Sequence, residues 1–109
     1  MQVLKFGGTS VANAENINKV INVVKKAIQK EDTIVVVSAL GGVTDLLLNA
    51  ATNAAAGDEA YKNNIIEIER RHFDTIKNLI PVAHQSHLLS LVKTAINEIE
   101  DICNGIFFT

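Results

Sequence analysis

An α/β fold is predicted, built on one β-α-β unit with parallel strands and followed by three helices, the last two forming a hairpin. Three observations lead there. A short apolar run, Val3-Leu4, ends in Lys5 and opens into Gly7-Gly8; a continuous β-branched run spans Thr33-Ile34-Val35-Val36-Val37; and helical apolar spacing fills the intervening segment and everything after Val43.

The first strand leads through Lys5 into Phe6-Gly7-Gly8-Thr9-Ser10-Val11. Adjacent glycines let a backbone turn sharply and point several N–H groups at one external anion, while Thr9 and Ser10 add hydroxyl donors and Lys5 a positive charge. A phosphate cradle and a plain tight connection share this composition, and both readings stand. The spacing is neither a Walker loop nor a dinucleotide fingerprint, since the Gly-Lys-Ser/Thr ending and the third glycine are missing.

Glu15 to Lys30 is the first helix, with Ile17, Val20, Ile21, Val24, Ala27 and Ile28 on one stripe, Asn13 as N-cap, and Lys25, Lys26 and Lys30 near the C-terminal end. Thr33 to Val37 suits a parallel strand covered on both faces. A crossover helix between parallel strands is right-handed and brings both strand exits to one edge, so the Gly7-Gly8 loop and the segment Ser38-Ala39-Leu40-Gly41-Gly42-Val43-Thr44-Asp45 should lie side by side. The hydroxyls and N–H groups of that second exit suit a carboxylate at a helix N-terminus. Equally, Thr44 caps the helix and Asp45 complements its dipole.

Val43 to Ala56 places Val43, Leu46, Leu47, Ala50, Ala51 and Ala54 on one face, with Gly57 as the stop. Asp58 to Ile80 carries Tyr61, Ile65, Ile68, His72, Ile76 and Leu79, and Pro81 ends it. The last helix, about His84 to Cys103, stripes Leu88, Val92, Ala95, Ile96, Ile99 and Ile102. The short Pro81-Val82-Ala83 connection predicts an antiparallel pair.

Composition excludes several classes of function. The chain has 109 residues, a net charge of -2 and 48% hydrophobic residues. It is neither basic enough for nucleic acid nor polar enough for disorder. Its apolar runs fall far short of the roughly 20 residues that cross a bilayer, and no signal-peptide core follows Met1. A cytoplasmic location is expected, and the lone Cys103 in a helical stripe suits a reducing compartment. His72 reads as a packed or edge histidine. His84 and His87 have ligand spacing but no third partner, so no metal site is assigned. Glu67, Glu69, Arg70 and Arg71, like Glu98, Glu100 and Asp101, read as solvated helix faces.

The string Lys5 to Val11, with the Ser38 to Asp45 segment, resembles the aspartokinases of the amino-acid kinase family. Met1 to Glu15 also resembles bifunctional aspartokinase/homoserine dehydrogenases. The resemblance implies an amino-acid kinase-like three-layer sandwich, here incomplete, because two strands do not make a covered sheet. It implies transfer of the ATP γ-phosphoryl group to the side-chain carboxylate of L-aspartate, the first step of lysine, threonine and methionine biosynthesis. Mg²⁺ would arrive with the nucleotide; NADP would enter only in a bifunctional parent. Lys5 becomes the catalytic residue on the transferring group, with Gly7, Gly8, Thr9 and Ser10 as phosphate contacts and Ser38 and Thr44 holding aspartate.

Relative to that family, residues 1–109 are expected to be the amino-terminal part of the catalytic domain, inactive alone, with a further substrate segment, the catalytic aspartate and the adenine pocket beyond Thr109. A homo-oligomer is expected. Two alternatives remain at this point: a kinase for another small carboxylate or carbamate, and a short nucleotide-binding or dimerisation module using the Asp58 to Cys103 hairpin.

Overall fold

The structure, a computed structural model, describes residues 1–109. It divides into two compact units, Met1–Gly42 and Val43–Thr109.

The first unit contains β1 (Gln2–Phe6), α1 (Ala14–Ile28) and β2 (Thr33–Val37). The strands pair in parallel, in register from Gln2↔Thr33 through Leu4↔Val35 to Phe6↔Val37. Asn13 caps α1 as its sequence predicts: its backbone is extended and its side chain accepts from the Asn16 N–H at 2.9 Å. Gln2 ties β1 to its neighbours, its Nε2 donating to the Ala27 carbonyl at 3.3 Å and to Thr33 Oγ1 at 3.1 Å.

The two faces of this ribbon differ. Val35 and Val37 line an apolar cavity of about 390 Å³ with Val11, Ile17, Val20 and Val24, which places them on the α1 side. Alternation along the strands and the parallel register put Leu4 and Phe6 on that side too, and Val3, Lys5, Ile34 and Val36 on the other. As an incomplete sheet implies, the β-branched run lacks cover on one face. Ile34 is 46% and Val36 44% exposed, because α1 covers only the opposite face of a sheet in which each strand has one neighbour. The strand pairing is as expected, while the sandwich is incomplete.

The second unit is helical: α2 (Val43–Ala55), α3 (Tyr61–Leu79), a 3₁₀ turn (Val82–His84) and α4 (Gln85–Phe107). Gly57 ends α2 with φ of 71°, a left-handed value that suits glycine. The Gly57 N–H donates to Ala54 at 3.1 Å and the Asp58 N–H to Asn53 at 2.9 Å, the paired bonds of a Schellman cap. Ile80 is extended, as a residue before proline must be, and Gln85 Nε2 satisfies its carbonyl at 2.7 Å.

The last two helices run antiparallel, since Tyr61 meets Asn104 and Phe107 at one end while Glu69 pairs with Lys93 at 3.1 Å further along. Tyr61 is fully buried, its hydroxyl donating to Asn104 Oδ1 at 2.5 Å and its ring 5.2 Å from that of Phe107. That contact explains why α4 continues past Cys103 and through Gly105: the last turn carries Asn104 and Phe107 onto Tyr61. Val43, Ala50, Ala54, Ile65, Ile68, Ile96 and Cys103 complete the buried set of this unit. Leu47, Ala51, Ala95 and Ile102 from the predicted stripes are exposed instead, so only part of each stripe is buried.

The polar residues of α3 behave as solvated groups. Arg70 binds Glu67 and also Asp74 at 3.0 Å, and its guanidinium holds the Glu67 carboxyl below the usual carboxylate range. His72 Nδ1–H donates to the Ile68 carbonyl at 2.7 Å, a bond back along its own helix. No helix is long and apolar enough to cross a membrane.

Candidate functional site

The exits of β1 and β2 meet at one edge of the ribbon. The Ser38 N–H continues the ladder by donating to the Phe6 carbonyl at 3.1 Å, so the two loops leave the sheet from adjacent positions. Beyond it the backbones nearly touch: a Cβ on Gly41 would stand 2.8 Å from the Gly8 carbonyl oxygen, and one on Gly8 would stand 3.3 Å from Gly41 Cα and 3.6 Å from Ser38 Oγ. The predicted side-by-side placement of the two loops is present.

The glycines act for a reason different from the one expected. Neither Gly7 nor Gly8 takes a positive φ; in this region only Gly42 does, at 84°, just before α2. Gly8 and Gly41 are small because two backbones approach closely. Gly7 has no neighbour within 4 Å of a would-be Cβ, so nothing in the chain demands its smallness. The turn itself is closed by the Ser10 N–H donating to the Gly7 carbonyl at 3.1 Å.

Around this loop the predicted residues separate. Thr9 and Ser10 line a hollow of about 320 Å³ on the α1 side, together with Phe6, Asn16, Lys19 and Val20. Lys5 is exposed on the opposite face of β1. Ser38 is exposed, its hydroxyl donating to the Ala39 carbonyl at 2.7 Å. Thr44 belongs to the second unit, where it is the second residue of α2 and exposed; since the helix begins at Val43, Thr44 lies inside the first turn and not at the cap. Asp45 follows it there. No three His, Cys, Asp or Glu side chains converge to hold a metal.

Three residues escaped the sequence reading. Gly41 was legible only as a softened turn, though its closeness to Gly8 joins the loops. Lys19 places a cation at the hollow beside Thr9 and Ser10, on the side away from Lys5, and no motif marks it in the sequence. Asn16 donates from Nδ2 to the Thr9 carbonyl at 2.9 Å, anchoring the loop to α1. Its position three residues after the cap is where a capping box carries Glu or Gln, and that was the available signal.

Two loops thus leave the carboxyl edge of the parallel strands side by side, carrying hydroxyls and flanked by lysines, an arrangement of an α/β module that could hold an anion. The model of the amino acid kinase family matches residues 1–99, and the chain belongs to that family. It is similar to the bifunctional aspartokinase/homoserine dehydrogenase 1, chloroplastic, of Arabidopsis thaliana, with 32% identity over 105 residues, 96% of this chain and 11% of that protein. The aspartokinase of Chlamydia pneumoniae is 42% identical over 77 residues, 71% of this chain and 16% of that protein. Aspartokinase 1, chloroplastic, of Arabidopsis thaliana is 32% identical over 109 residues, 95% of this chain and 18% of that protein. The chain thus spans less than a fifth of the length of these relatives.

Proposed function

We propose that the chain is the phosphate-cradling and acceptor-orienting part of an aspartokinase, which transfers the ATP γ-phosphoryl group to the side-chain carboxylate of L-aspartate. The observation that carries this reading is the close approach of Gly8 and Gly41, which sets the β1 exit beside Ser38. Names of the relatives supply the aspartate specificity.

The chemistry asks for charge control more than proton transfer. An aspartate carboxyl has an ordinary pKa of about 3.9 and is ionised at neutral pH, so the nucleophile needs no general base. What must be overcome is repulsion between that anion and the nucleotide phosphates. Magnesium enters as part of the nucleotide substrate and neutralises phosphate charge. Lys5 stabilises the transferring group, the loop N–H groups of Gly7 and Gly8 and the hydroxyls of Thr9 and Ser10 hold the phosphates, and Ser38 and Thr44 orient the acceptor. We place the reaction in the cytoplasm, in a homo-oligomeric enzyme, while plant relatives are named chloroplastic.

Kinetics of the enzyme containing this segment test the division of labour. Lys5→Ala should lower kcat far more than it changes the aspartate KM, whereas Thr44→Ala should chiefly raise the aspartate KM. Identical behaviour of the two variants refutes it. Acyl phosphate trapped with hydroxylamine across a panel of carboxylate and carbamate acceptors tests the substrate, and preference for another acceptor replaces aspartate. The 109-residue chain by itself should form no acyl phosphate.

A further inference from the structure

We propose that Asn16 is the positioning residue of the phosphate loop, a latch that holds the loop in its ligand-ready shape before any nucleotide arrives; the nucleotide part of this inference rests on the function proposed above. Two bonds converge on this residue from opposite directions. Its backbone N–H is accepted by Asn13 Oδ1 at 2.9 Å, which fixes the residue in the first turn of α1. Its side-chain Nδ2 donates to the Thr9 carbonyl at 2.9 Å, seven residues back, on the far side of the loop.

The other tethers of the loop leave a gap that Asn16 fills. The Ser10 N–H closes the turn onto Gly7 at 3.1 Å, and Gly8 rests against Gly41. Those contacts hold the β1 side of the loop. On the helix side the Thr9 carbonyl is held by Asn16 Nδ2, and this bond ties the Thr9–Ser10 peptide to α1. A carbonyl bonded to Asn16 Nδ2 has its partial negative charge met by a donor within the protein. That makes the bond useful beyond stability, because a free Thr9 carbonyl would repel the phosphate the loop is built to accept.

Lining the hollow with Thr9, Ser10 and Lys19, Asn16 lies beside the anion-binding groups and acts on them through Thr9. Aspartate in its place would keep the size and lose the donor, and would face a carbonyl oxygen with a second acceptor.

The test compares Asn16→Asp, Asn16→Gln and Asn13→Ala in the 109-residue chain and in the enzyme that contains it. Amide exchange of Ser10 is the first readout, since its N–H is bonded within the loop. In Asn16→Asp it should accelerate about fivefold to tenfold, with amides inside α1 changed less, as expected for loss of one hydrogen bond. Asn16→Gln, which retains the amide donor, should recover part of the protection. Asn13→Ala should loosen the start of α1 more than the loop. In the enzyme, Asn16→Asp should raise the ATP KM severalfold and leave the aspartate KM unchanged.

Unchanged Ser10 exchange in Asn16→Asp overturns the latch. A loosened loop with an unaltered ATP KM overturns its role in nucleotide binding. If the parent enzyme uses no ATP, the function proposed above fails, and Ser10 exchange still decides whether Asn16 holds the loop.

Discussion

Replacing Gly41 with alanine should destabilise the first unit, although nothing about its own φ forbids a side chain. The new Cβ would lie 2.8 Å from the Gly8 carbonyl oxygen and 3.1 Å from Ala12 Cβ. A comfortable carbon contact is about 3.5–4.0 Å, so one of the loops must move. Overpacking of this kind costs about 1–3 kcal/mol, offset by about 0.4–1 kcal/mol because alanine restricts the unfolded chain. A net loss of about 1–2 kcal/mol is expected. Gly7 provides the internal comparison: with open space around it and an ordinary φ, Gly7→Ala should gain about 0.4–1 kcal/mol.

Gly8→Ala, meeting Gly41 Cα at 3.3 Å, should fall between them. Urea unfolding monitored by amide exchange in β1 and β2 isolates the first unit and reads all three variants. On the proposed function, which gives the Gly7 N–H to phosphate, the effects on nucleotide should run the other way: Gly7→Ala should weaken Mg-ATP binding while the fold holds. Equal stability of Gly41→Ala and Gly7→Ala would show that the two loops do not meet as described.

Tyr61→Phe should cost about 1–3 kcal/mol in the helical unit, because Asn104 Oδ1 loses a buried donor; thermal unfolding by circular dichroism checks it. Burial pushes the Cys103 thiol up, so the folded state favours the protonated form. That stabilisation is complete below the unfolded thiol pKa of about 8.5 and is lost as pH rises through the folded-state value, so wild type should lose stability in alkali more steeply than Cys103→Ala. Glu69 and Lys93 join α3 to α4 across a partly exposed surface, and a double-mutant cycle should return about 0.2–1 kcal/mol, diminishing with salt. The bare Ile34 and Val36 should promote self-association of the 109-residue chain, and Val36→Lys should reduce it in sedimentation velocity; a strictly monomeric wild type at high concentration contradicts this.

How much of the architecture was legible depends on how local its cause is. The β-branched run from Thr33 to Val37, the Asn13 cap, the Gly57 stop and Pro81 each act through neighbouring residues, and each feature stands where expected. The end of α4 was not legible, because it depends on Tyr61 receiving Asn104 and Phe107 from more than 40 residues away. Likewise Ala95 and Ile102 fit a helical stripe, yet which arc of that stripe is buried depends on neighbouring helices.

For the candidate site, the residue types at the β1 and β2 exits follow from the chain alone: donors, glycines and a lysine at one strand end, hydroxyls and glycines at the other. Tertiary structure alone decided that Gly8 and Gly41 are small for mutual approach, that Asn16 rather than a glycine conformation holds Thr9, and that Lys5 and Lys19 belong to opposite faces of the ribbon. The physical reason is separation along the chain: conformational preference and periodicity act over a few residues, while close approach of Gly8 to Gly41 exists only after a helix and a second strand have brought the two exits together.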